Sequence, residues 1–203
     1  MTVGSIFLGI AGGSCSGKTT LANTLVKSLP HEVSTIAFDS YYCDQGHLPP
    51  KERALVNYDH PDSLDISLFI DDLQNLRSGK VISSPVYDMA THTRTSDSVQ
   101  VTGTDVVIID GILLLVFPEI CELLDFKVFV DAPEVTRALR RVIRDEAERG
   151  RTAEQAEAQF LRTVQPMHAK FVEPSMSKAD LVVNGEIDPM ILANQIEKIL
   201  SLL

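Results

Sequence analysis

Residues 5–20 read SIFLGIAGGSCSGKTT: an apolar run, two glycines, small polar residues around a cysteine, then Gly-Lys-Thr-Thr. Gly12, four residues, and Gly17-Lys18-Thr19 satisfy G-x-x-x-x-G-K-S/T, the spacing of a loop that cradles nucleotide phosphates. The chemistry needs these residue types. Glycines let the backbone curl until successive N–H groups point inward, and the following helix turns its positive end toward the anion. Lys18 adds a point charge, and Thr19 offers a hydroxyl to magnesium. The whole stretch Gly12, Gly13, Ser14, Cys15, Ser16, Gly17, Lys18, Thr19 and Thr20 is therefore the candidate phosphate cradle. The plainer alternative is a tight strand-to-helix turn that happens to contain Gly-Lys-Thr. For Cys15 the plainer reading is small-residue packing, not a reactive thiol.

Working outward, further β-rich runs follow: VSTIAF (33–38), DVVIID (105–110), FKVFV (126–130) and DLVV (180–183), with amphipathic stretches between them. Continuous apolar strands alternating with helical periodicity predict an α/β chain with a buried parallel sheet. One segment breaks the rhythm. VISSPVYD and SDSVQVT flank MATHTRT with no helix between, which predicts a protruding antiparallel hairpin over about 81–102, above the ligand edge of the sheet. No repeat or long linker divides the 203 residues, so 1–203 is read as a single domain.

The formal net charge of −10 argues against nucleic acid or anionic membranes as partners. The N-terminal apolar run has no positive flank and is too short to span a bilayer. Cys15, Cys43 and Cys121 are an odd set without C-x-x-C spacing, as suits a reducing compartment. A cytoplasmic enzyme is the expectation.

A phosphate loop alone does not separate kinases from switches and motors. N-K-x-D occurs nowhere, which weakens a guanine-specific switch. VVIIDG places Asp110 at the end of a buried strand, where a carboxylate holds magnesium directly or through water. The alternative for Asp110 is an ordinary strand-end turn. VSTIAF ends in Asp39, and ligands of open parallel sheets gather beyond the strands' carboxyl ends. With an alcohol acceptor, Asp39 is the acid left to orient the hydroxyl and take its proton; a helix N-cap is its plainer role.

NYDHPDSLD (57–65) enters an amphipathic helix that Asp62 or Ser63 is positioned to cap, and ligand binding there is equally open. On the hairpin, Tyr87, His92 and Arg94 form an aromatic, polar tip able to face a planar ligand; His92 is otherwise a solvent-exposed loop residue. In VTRALRRVIRDEAERGR (135–151), Val135, Ala138, Leu139, Val142 and Ile143 mark one helical face, and the arginines fall elsewhere. Six of the 18 basic residues lie in this stretch, which suggests an arginine lid (about 134–165) over phosphates. A salt-bridged solvent helix is the alternative.

Taken together, GGSCSGKTT, FDSYY, NYDHPDSLD, PVYDMATHTR, IIDGILLL, FVDAP, RRVIRDEAERGR and FVEPSMSKAD occur in an order and spacing that resemble the uridine–cytidine kinases. These belong to the phosphoribulokinase and uridine kinase family of phosphate-loop kinases, and the resemblance runs almost end to end. It implies a phosphate-loop NTPase fold and transfer of the γ-phosphoryl group of ATP (or GTP), with Mg²⁺, to the 5′-hydroxyl of uridine and of cytidine. By the same resemblance Asp39 is the catalytic base, and Asp59 binds the ribose hydroxyls with help from Arg141 and Gln159. Tyr42, Tyr58, Tyr87, His92 and Ile112 line the nucleoside site. Arg144, Arg149 and Arg151 match lid positions that approach the phosphates or the acceptor. A homotetramer and feedback by pyrimidine triphosphates are what the resemblance implies about assembly and control.

Two departures stand out. Asp110 is one methylene shorter than the family's common Glu, which favours water-mediated magnesium contact. Met89 replaces a frequent aromatic beside the base and offers less planar stacking. Two other readings are kept: a related kinase acting on another small alcohol, such as phosphoribulose or pantothenate, and a nucleotide-binding regulator without catalysis. A nucleic-acid-dependent ATPase fits poorly with the acidic balance.

Overall fold

The computed structural model describes residues 5–53 and 55–202; residues 1–4, 54 and 203 of the single-domain reading lie outside them. Five parallel strands form the central sheet: β1 (Ile6–Gly12), β2 (Val33–Ala37), β5 (Val106–Gly111), β6 (Phe126–Asp131) and β7 (Leu181–Asn184), in the order β2-β5-β1-β6-β7. The antiparallel pair β3 (Ile82–Asp88) and β4 (Thr93–Val101) stands apart as a hairpin. The helices are α1 (Lys18–Ser28), α2 (Pro50–Arg53), α3 (Ile66–Arg77), α4 (Pro118–Cys121), α5 (Glu134–Glu148), α6 (Ala153–Gln159), α7 (Gln165–Met167), α8 (Glu173–Ser175) and α9 (Pro189–Leu200). Wider π turns at Phe160–Val164 and His168–Val172 join α6, α7 and α8 into one winding rod. None of the helices among the described residues is long and apolar enough to cross a membrane.

Period-two alternation along the strands builds a core on each face of the sheet. On one face Leu8, Ile10, Val106, Ile108, Val128 and Val130 pack against Leu21 and Leu25 of α1 and Leu192 and Ile196 of α9. On the other, Phe7, Ala11, Ile36, Val107, Ile109 and Phe129 meet Phe69, Leu73 and Leu76 of α3, and Ile82 and Val101 of the hairpin. The register does the work of bringing the acids together. Ala37 pairs with Asp110 and Ala11 with Gly111, so β1, β2 and β5 end at one level.

Three local readings differ from the sequence expectation. Strand β4 begins at Thr93, which shortens the hairpin tip to residues 89–92, because the β-branched threonines and Arg94 extend the ladder. Helix α3 is capped by Asp65, whose Oδ1 accepts from the Leu68 amide at 3.2 Å. Asp62 is instead exposed beside His60, and the Ser63 hydroxyl donates to the carbonyls of Tyr58 and His60. On α5, the apolar ridge Val135, Leu139 and Ile143 is 79%, 62% and 59% exposed, whereas Arg137, Arg141 and Asp145 are buried.

Candidate active site

The carboxyl ends of the strands open into a cleft of about 750 Å³. Ser14, Cys15, Gly17, Lys18, Thr19 and Thr20 form its floor, with Asp39 beside them. Gly12, Gly13 and Ser16 lie beneath that floor, Ser16 fully buried, and shape the loop from behind. The Ser16 amide donates to the Gly13 carbonyl at 3.1 Å, and Cys15 adopts a left-handed φ of 61°. Strained backbone of this kind persists where the surroundings dictate it. Helix α1 starts directly behind the loop with Gly17 as N-cap, no capping side chain and no acid in its first turn. Its free N–H groups and positive end are therefore left for an external anion. Lys18 is only 8% exposed, lines the cleft, and has no salt bridge among the described residues. This loop fits a nucleotide's phosphates.

Beside it, the Thr19 hydroxyl donates to Asp110 Oδ2 at 2.6 Å. These hard oxygen donors suit magnesium. Among the described residues no group of three or more His, Cys, Asp or Glu is arranged to hold a metal, so phosphate and water would complete such an ion's shell. Burial pushes the Asp39 carboxyl above the ordinary range; Lys18 pulls it back down, and Asp110 adds to the rise.

The far end of the cleft is aromatic. Tyr42 meets Tyr58 edge-on with centroids 5.8 Å apart and Tyr87 in a tilted arrangement at 5.3 Å. His92 stacks on Tyr58 at 4.1 Å with planes 7° apart, while its backbone takes a left-handed φ of 57°. Burial, Arg151 and Arg149 push His92 down to about 4, so the ring is neutral at pH 7 and presents one donor and one acceptor. Far from being a free loop residue, His92 is held against the cleft. The hairpin is latched there by Arg94: Nε donates to the Tyr42 carbonyl at 2.9 Å, and Nη2 donates to the Tyr41 carbonyl and to Asp65 Oδ2, each at 3.2 Å. Met89 and Ile112 also line this end.

Between loop and aromatic box lies a polar shelf. Arg141 Nη1 donates to Ser14 Oγ at 2.8 Å and Nη2 to Gln159 Oε1 at 3.0 Å. Burial raises the Asp59 carboxyl, with Arg141 pulling it down. Arg144, Arg149 and Arg151 complete the wall.

Several residues in or behind the cleft wall escaped the sequence reading. Thr163 donates to Asp59 Oδ2 at 3.0 Å and lies 3.2 Å from the Gln159 carbonyl, a position the wider turn at Phe160–Val164 provides. No local pattern flags it. Asn23 and the stretch Gly185–Pro189 line the cleft next to the loop, together with Arg140, one of the arginines counted in 135–151. Arg140 Nη1 ties the Gly185 carbonyl (3.1 Å) to the Ser16 carbonyl (3.3 Å), joining the end of β7 to the cradle. The sequence shows a glycine after DLVVN but not that it packs on the Ser16 carbonyl.

The family model described as Phosphoribulokinase / Uridine kinase family matches residues 7–188. A uridine kinase of Brevibacillus brevis is 45% identical over 179 residues, covering 88% of this chain and 84% of that protein. A uridine kinase of Clostridium novyi is 39% identical over 201 residues, covering 97% of each. The solved phosphoribulokinase from Rhodobacter spheroides superposes with a TM-score of 0.66 at 14% identity, over 92% of this chain and 74% of that one. That last likeness speaks to the fold alone.

Proposed function

The chain belongs to the phosphoribulokinase and uridine kinase family, and from that premise we propose that it phosphorylates uridine, and cytidine with it, at the 5′-hydroxyl, using ATP. One observation carries the reading: the phosphate cradle and the aromatic box open into the same cleft, with Asp39 between them. The cradle and Lys18 hold the triphosphate, while the stretch Gly185–Pro189, which lines the cleft beside the cradle, takes the donor base. Tyr42, Tyr58, Tyr87 and His92 enclose the pyrimidine, and Asp59, Arg141 and Gln159 hold the ribose hydroxyls. Asp39 orients the 5′-hydroxyl and accepts its proton as the phosphoryl group arrives. Arg144 and Arg149 neutralise the charge that spreads over the transferring group. Thr19 and Asp110 would hold magnesium, which supplies charge neutralisation across the phosphates when bound.

A coupled assay with uridine, cytidine, adenosine, ribulose 5-phosphate and pantothenate, run with ATP and with GTP, tests the proposal. Uridine turns over with ATP at the highest kcat/KM. Preference for ribulose 5-phosphate or pantothenate, or nucleotide binding without any turnover, overturns it. The base box is tested separately. His92→Ala raises the nucleoside KM about tenfold or more, the scale of one stacked base contact, and leaves the ATP KM unchanged. A change confined to ATP would remove His92 from the box.

Self-assembly is part of the same reading, with a homotetramer as the assembly. Its support on this chain is the ridge Val135, Leu139 and Ile143, spaced four residues apart on one face of α5 and turned to solvent. Light scattering gives an oligomeric mass for the wild type and a smaller one for Leu139→Asp. A monomeric wild type refutes this part.

A further inference from the structure

We propose that Asp145 is the positioning residue of the arginine lid: one buried carboxylate gathers four guanidinium groups and leaves their remaining donors turned to the cleft. Asp145 is 0% exposed. Its Oδ1 accepts from Arg144 Nη2 at 2.8 Å and Nε at 3.1 Å, with Arg149 Nε at 3.7 Å. Its Oδ2 accepts from Arg151 Nη1 at 2.8 Å and faces Arg141 Nε at 3.6 Å. The Asp145 carbonyl also accepts from the amides of Arg149 and Arg151, each at 3.2 Å. Side chain and backbone of one residue therefore hold both ends of the lid turn.

Local geometry explains how residues so spaced converge. Arg141 lies one turn before Asp145 on the same face of α5, and Arg149, the C-cap residue, lies four residues after it. Helix α5 ends at Glu148, and Gly150 in the left-handed region (φ 62°) folds the chain back so that Arg151 returns to the same carboxylate. Thr152 then caps α6 with a capping box and secures the far side of the turn.

Charge decides what this hub is for. Four cations around one anion leave an excess of three positive charges in this cluster, which Glu148 and Asp59 offset only in part. A carboxylate takes one or two hydrogens from each guanidinium, and each guanidinium has five to give. Burial would raise the Asp145 carboxyl, but Arg141 and Arg144 outweigh it and keep it ionised. Without that anion the four guanidiniums repel one another at short range in a partly desolvated wall, and the lid opens outward. A polyphosphate completes the balance that Asp145 begins. Asp145 thus acts through the arginines and touches neither substrate.

This inference rests on the cleft being a phosphoryl-transfer site, and its test avoids the acceptor. Calorimetry measures the affinity of a non-hydrolysable ATP analogue with Mg²⁺, which needs no nucleoside, so an error in the acceptor assignment leaves this result intact. Asp145→Asn keeps the shape and removes the charge. It binds the analogue about tenfold more weakly than wild type, the scale of one or two lost charge-assisted hydrogen bonds. In an Arg144→Gln/Arg149→Gln background the same change costs no more than about threefold, because only Arg141 and Arg151 are left for it to position. A purely structural role predicts the full loss in both backgrounds and would overturn the proposal, as would wild-type affinity in folded Asp145→Asn. If Asp145→Asn does not fold, the comparison is repeated in Arg151→Gln, which removes one of the cations left unpaired. The same tenfold loss is expected there, and its absence refutes the positioning role.

Discussion

Asp39→Asn lowers kcat for uridine by about a thousandfold while leaving ATP and uridine binding measurable, the scale on which general bases act. The amide keeps the shape of the carboxylate and cannot take the proton of the attacking hydroxyl. The wild-type pH profile carries a matching sign. Burial raises the Asp39 carboxyl above its ordinary 3.8, so the basic form is lost, and kcat/KM falls, as pH drops through that raised value. Stability runs the other way. A carboxyl that holds its proton more tightly folded than unfolded contributes most below its unfolded pKa, and the contribution is lost as pH rises through the folded one. At pH 7 Asn therefore raises the melting temperature while turnover collapses, the pattern of a site strained for function. Turnover like the wild type's in this variant would take the base role away from Asp39.

Gly185→Ala lowers kcat/KM for ATP by about a hundredfold, the cost of a misplacement near 1 Å at a reacting centre. A Cβ at position 185 would overlap the Ser16 carbonyl oxygen and sit 2.9 Å from Val130 Cγ1. The overlapped atom is backbone, directly before Gly17 and the start of α1, so relief of the clash moves the phosphate cradle itself. Arg140 is drawn along, since it bridges these same two carbonyls. Overpacking of this kind costs about 1–3 kcal/mol, a fall of roughly 2–12 °C in Tm for a chain of this size. Uridine affinity, measured by calorimetry without nucleotide, stays within about threefold because the aromatic box lies at the other end of the cleft. An unchanged ATP KM would show that the cradle tolerates the methyl group.

The two variants divide what local pattern reveals from what it hides. Asp39, Asp110 and the cradle were legible because each sits at the end of a strand that announces itself by continuous apolar residues, and strand ends of a parallel sheet share one edge. Gly185 was not, because the need for a glycine there comes from Ser16, 169 residues earlier in the chain. The cap of α3 was misplaced for a smaller reason: Asp62, Ser63 and Asp65 all suit an N-cap, and the choice is settled by Arg94, which reaches from the hairpin to hold Asp65. Thr163 gave no signal, since it meets Asp59 only after the π turn has widened the helix by part of a residue.

Helix α5 shows the division most clearly. From residue types and spacing alone came the alternating strands, the phosphate loop, the two strand-end acids, the hairpin and the concentration of arginine, all of which are properties of neighbours along the chain. Only the tertiary structure decided which face of that helix turns inward. Periodicity marks an apolar stripe and a charged stripe but carries no information about what lies opposite. Here the charged stripe faces a cleft shaped for an anion, and Asp145 is buried among four arginines while Leu139 meets solvent. A buried charge is stable only when its partners arrive from elsewhere in the fold, and that arrival is a matter of three-dimensional packing.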